Sequence, residues 1–118
     1  MNYALLIYGD EKVWETADDA VRHEVYVAHT EFARLCAEQG HKITSGAELR
    51  NSSSARTLRR TDDSVDVTDG PFAETAEQLG GFYMIETDDP DGLLELVGST
   101  LHEPTFELRP VVPSNEQG

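Results

Sequence analysis

The chain has 118 residues, enough for one core and too few for two. Nine Lys and Arg against 23 Asp and Glu give a formal charge of −14, which would repel a phosphate backbone and argues against nucleic-acid binding. No apolar run approaches the roughly 20 residues of a membrane span.

The start, Met1-Asn2-Tyr3-Ala4-Leu5-Leu6-Ile7-Tyr8-Gly9, lacks the basic leader and cleavage site of a signal peptide and reads as a first strand. Cys36 stands alone, so no internal disulfide can form and a cytoplasmic location is expected. The first strand, residues 3–8, is apolar on both alternating sets, as expected of a strand covered on both faces. Gly9-Asp10 ends it.

A long helix is expected over residues 18–39, with Thr16 and Asp19 approximating a capping box. Val21, Val25, Ala28, Phe32 and Leu35 recur at steps of three and four and form its buried stripe. Gly40 stops it. A strand over 42–49, interrupted by Gly46, leads into the loop Asn51-Ser52-Ser53-Ser54. Two short alternating strands, 55–60 and 65–68, flank Thr61-Asp62-Asp63-Ser64 and signal a hairpin, which Asp69-Gly70-Pro71-Phe72 ends.

Gly80-Gly81 opens a further strand, 82–87, again apolar on both faces. Asp88-Asp89-Pro90 starts a second helix with Leu93, Leu96, Val97 and Leu101 on one side. A last strand, 106–112, closes a domain expected to span residues 1–113, with 114–118 a frayed tail. The order β-α-β, hairpin, β-α-β is that of an α+β, ferredoxin-like split βαβ fold with both helices on one face of an antiparallel sheet. Its doubly apolar strands then call for cover on the other face, most simply by a second copy of the chain.

The run Thr68-Asp69-Gly70-Pro71-Phe72-Ala73-Glu74-Thr75-Ala76-Glu77-Gln78-Leu79-Gly80-Gly81-Phe82-Tyr83 resembles the signature of the DGPF-motif branch of the YCII-related family. The opening residues 3–9 and the closing Glu107-Leu108-Arg109-Pro110-Val111-Val112 are similar to that branch as well, so the likeness covers nearly the whole chain. Ala76 departs from it, standing where a lysine is usual.

The resemblance implies a dimeric α/β barrel of two facing sheets, with a pocket between sheet and helix in each subunit. It also implies frequent association with extracytoplasmic-function sigma factors. In the broader family a helix histidine and an aspartate are proposed as a catalytic pair; the carry-over falls on His29, with Asp69 of the motif as candidate partner. Tyr8, Pro71, Phe72 and Arg109 are the candidate substrate-binding residues.

A histidine at a helix edge has an ordinary pKa suited to proton transfer at neutral pH, and a carboxylate on one ring nitrogen would fix its tautomer. The competing reading is a boundary histidine that caps its polar atoms with water or a neighbour. Asp69 also has one, as a side chain that merely shapes a turn before Gly-Pro. For Arg109 an ion pair with Glu107 or another acid is the simpler expectation. His23, His41 and His102 show no ligand spacing, and no metal or organic cofactor is expected.

Two functions follow as expectations. One is a cofactor-free enzyme moving a proton on a small molecule through His29 and Asp69. The other is a ligand-binding or regulatory module linked to a sigma factor. A direct His29–Asp69 contact facing a polar cavity would favour the first; an apolar pocket without it would favour the second.

Overall fold

A computed structural model describes residues 1–116. Four strands form one antiparallel sheet in the order β2-β5-β1-β6, built from β1 (Asn2–Gly9), β2 (Lys42–Glu48), β5 (Gln78–Glu86) and β6 (Thr105–Pro110). This is the ferredoxin-like α+β arrangement. The two strands whose sequence is apolar on both faces, β1 and β5, are the two central ones. Leu5 and Ile85 point to the helices and are fully buried, whereas Ala4, Leu6, Phe82 and Met84 alternate to the other face and are only half-buried in the single chain.

The long helix α2 (Asp19–Gln39) is capped by Asp18, whose carboxylate accepts from the Val21 N–H at 2.9 Å. The expected capping box is therefore displaced. Thr16 ends a separate short helix, α1 (Glu11–Thr16), and its hydroxyl donates back to the Lys12 carbonyl. Gly40 takes the left-handed conformation at φ 83° and its N–H meets the Cys36 carbonyl, as a helix stop requires.

The helix α3 (Pro90–Thr100) is capped by Asp89 on the Gly92 N–H. Its Leu93, Leu96 and Val97, with Leu101 just beyond, close the core against Phe32 and Cys36 of α2 and against Leu5 and Ile85. Val21 leaves the expected stripe: it is exposed, because the first turns of α2 overhang a cleft at the end of the sheet.

Between β2 and β5 the chain leaves the sheet. A short 3-10 turn (Ser52–Ser54) leads to β3 (Arg56–Arg60) and β4 (Val65–Asp69), which pair only with each other. The strand β5 begins at Gln78, four residues before expectation. Gly80 is accommodated by a bulge, since Ile7 faces Gly81 and Tyr8 faces Leu79. Within the expected tail Ser114–Glu116 form a 3-10 turn, and Gln117 and Gly118 lie outside the described residues. Among the described residues no helix is long and apolar enough to cross a membrane.

Phe32 is the largest fully buried side chain and touches both helices and the sheet. Truncating it leaves a cavity as well as lost transfer energy. Phe32→Ala is expected to destabilise the chain by about 3–5 kcal/mol, read as a lower urea midpoint with an unchanged slope.

Candidate functional site

The overhang of α2 and the short helix α1 roof a cleft of about 980 Å³. Its floor is the end of the sheet, where β1 finishes at Ile7–Gly9, β2 at Gly46–Glu48 and β5 begins. Its lining is largely apolar, with Trp14, Val25 and Ala47 among the residues, and polar groups gather where His29 meets Tyr83 and Glu103.

His29 lies one turn before Phe32 on α2, so the packing of Phe32 fixes where the imidazole goes. Phe32 and His29 both contact the Tyr83 ring, with centroids 5.5 Å and 5.8 Å away. His29 Nδ1 is 2.7 Å from the Tyr83 hydroxyl, and its Nε2 is 2.6 Å from Glu103 Oε2. Both side chains of the His29–Glu103 pair are mostly shielded, at 17% and 23% exposure. Gly46 secures the third member. A Cβ there would sit 2.9 Å from Tyr83 Cδ1 and 2.8 Å from the Phe82 carbonyl, closer than real Cβ atoms approach.

The electrostatics are consistent with one protonation pattern. Burial works to raise the Glu103 carboxyl, but the His29 hydrogen bond and charge, with the backbone N–H groups of Glu103 and His102, outweigh it and hold the group below its usual 4.5. Burial pushes the Tyr83 phenol up, and the Glu103 charge pushes it the same way. Glu103 is then a carboxylate placed to accept from Nε2–H, and Tyr83 a neutral phenol whose hydroxyl donates to Nδ1 in the tautomer that carries its proton on Nε2.

Asp69 is not brought to His29 within the chain. It ends β4, outside the main sheet; its side chain is 93% exposed and lies 3.8 Å from Arg56. Both His29 nitrogens are occupied by other partners. Pro71 is half-buried, and Phe72 is 75% exposed beside a smaller depression that Tyr8 and Gln78 also line. Tyr8 borders the main cleft too, with its hydroxyl 3.4 Å from Glu107. Arg109 is exposed on the helix-free face, outside the cleft, and among the described residues it forms no ion pair with Glu107 or another acid.

A YCII-related domain model matches residues 1–113 of the chain. The chain belongs to the YCII-related domain family. It is also similar to an uncharacterized protein of Rhizobium meliloti (strain 1021), 36% identical over 118 residues and covering 94% of this chain and 92% of that one. In this YCII-related chain sequence reasoning singled out His29 and Asp69, and did not single out Glu103 and Tyr83, the side chains that sit on the His29 ring nitrogens. Tyr83 stood in the quoted motif run as an apolar strand residue; Glu103, between His102 and Pro104, carried no local signal.

Because the folded-state value of Glu103 lies below 4.5, its contribution to stability is present above about pH 4.5 and is lost as pH falls through the folded value. Glu103→Gln is expected to cost about 1–3 kcal/mol at pH 7. The gap between wild type and variant should narrow as pH is lowered below 4.5 in urea melts.

Proposed function

We propose that this YCII-related chain is a cofactor-free proton-transfer enzyme acting on a small molecule held in the cleft. The observation that carries the reading is His29 set between Glu103 at 2.6 Å and Tyr83 at 2.7 Å inside that cleft. Such an arrangement polarises the phenol. The Tyr83 oxygen takes a proton from a substrate C–H or O–H as its own proton passes to His29 Nδ1, and the imidazolium formed is stabilised by the Glu103 carboxylate. Returning the proton to another substrate atom regenerates all three groups, so the net reaction is a tautomerisation or isomerisation with no oxidant and no leaving group. Glu103 here takes the part that the sequence assigned to Asp69.

The test is exchange of carbon-bound hydrogen from deuterated water in a panel of small ketones and lactones, followed by proton NMR. Wild type should accelerate exchange of at least one compound. Tyr83→Phe and His29→Ala should lower that rate by roughly 10²–10⁴-fold. Full activity in both variants would sink the assignment.

The missing His29–Asp69 contact and the largely apolar cleft favour a second reading, a ligand-binding or regulatory module of the kind a sigma-factor link would need. Saturable binding without exchange across the panel would select it.

The working unit we propose is a homodimer joined through the helix-free faces of the sheets. Ala4, Leu6 and Met84 give that face an apolar centre, and exposed Arg109 and Glu107 stand near its edge for charge pairing across a two-fold axis. The buried lone thiol of Cys36, which burial pushes up to about 11, fits a reducing compartment such as the cytoplasm. In sedimentation at micromolar concentration wild type should run as a dimer and Leu6→Asp as a folded monomer. A monomeric wild type would remove the dimer.

A further inference from the structure

Trp14 and Tyr26 meet edge to face, with centroids 5.6 Å apart and planes at 87°, and both line the cleft. The Tyr26 hydroxyl lies 3.0 Å from both oxygens of Glu48, which also lines it. An aromatic wall thus ends in a carboxylate.

The charge around this wall is unbalanced. Asp10, Glu11, Glu15, Glu48 and Glu103 line the cleft, against the guanidinium groups of Arg22 and Arg50. Arg22 is already engaged. It donates to the Trp14 and Glu15 carbonyls and lies 5.5 Å from the Trp14 ring centre, so it braces α1 and is not free for a ligand anion. In a cleft with low-dielectric walls such an excess of one sign raises the local concentration of the opposite one.

We infer that the cleft selects an organic cation: an ammonium or iminium nitrogen on an apolar or aromatic body, placed near Tyr26 and Glu48. With Arg22 already over the Trp14 ring, the Tyr26 ring and the Glu48 carboxylate attract the ammonium together. The inference rests on the proposed proton transfer for its chemistry, and it makes that chemistry easier. Removing a proton from a neutral carbonyl compound leaves an anion among five carboxylates. Removing one from a cationic substrate, such as an iminium, leaves a neutral enamine, and no charge builds up against the surrounding field.

Trp14 is the only tryptophan of the chain, so its fluorescence reports on the cleft without a label. Titrating the full chain at pH 7 with benzylammonium, benzyl alcohol and benzoate compares three charges on one ring. Benzylammonium is expected to bind roughly tenfold or more tighter than benzoate, with the alcohol between, and to weaken as salt is raised. Glu48→Gln should remove severalfold of the cation's advantage while leaving the alcohol unchanged.

Benzoate binding as tightly as the amine, for instance through Arg50, which has no side-chain partner among the described residues, would overturn the inference. So would an amine-to-alcohol ratio untouched by Glu48→Gln, or no saturable change with any of the three. These are equilibrium readings, separate from exchange rates: loss of activity in Tyr83→Phe with no cation preference would fault the ligand class alone. A cation preference with exchange unaffected by Tyr83→Phe and His29→Ala would fault the proton transfer alone.

Discussion

The contact on which the rest depends is Phe32 of α2 set against the sheet beside Tyr83. Phe32 is fully buried and draws the middle of a 21-residue helix onto β1 and β5. Once that turn is seated, the residue three positions earlier must lie over the same part of the sheet. That residue is His29. The imidazole is therefore positioned by core packing, and its stacking on Tyr83 continues the row of rings that Phe32 begins. A polar group held in this way keeps little freedom of its own, the condition for a preorganised site.

The same seating explains the cleft. A helix this long outruns the sheet beneath it, so its first turns project past the ends of the strands. Val21 and Val25 then look down on open space and not on strand residues. The chain fills the gap partially with α1, which has no buried residue of its own. It is held by polar clasps: Glu11 receives the Ser52 N–H at 2.6 Å, Glu15 pairs with Asn51, and Arg22 binds the last carbonyls of α1. The roof is polar-bonded while the space below stays apolar, the composition of a small-molecule site.

Much of the fold was legible because it rests on local signals. Gly40, Asp89 with Pro90, and the double apolar alternation of β1 and β5 each name their structure through backbone sterics or strand period. The short helix α1 was hidden because six residues with no buried side chain produce no apolar stripe. The site was legible by half. His29 lies on a helix whose period can be counted, but its partners arrive from 54 and 74 residues away. No spacing rule spans such distances; only the pairing of β5 with β1 and the course of the chain after α3 bring them in. Asp69 attracted notice as the aspartate of the motif run, and within the chain it stands at the end of β4, away from His29.

The motif nonetheless bears on the site through register. Gly70 adopts φ 100°, donates to the Ala55 carbonyl and closes the base of the hairpin. The Gln78 amide then reaches back to the Ala73 carbonyl as the chain enters β5. From there the bulge at Gly80 fixes which residues of β5 face the helices. A slip of one residue would turn every side chain of the strand over. Tyr83 would leave His29 for the helix-free face, and Phe82 or Met84 would replace it under Phe32. Gly46, opposite Tyr83, admits the ring only in the register observed. The bulge at Gly80 and the inconspicuous tyrosine, both in the motif run, are thus parts of one arrangement: the first sets the strand's phase, and the second needs that phase to meet the histidine.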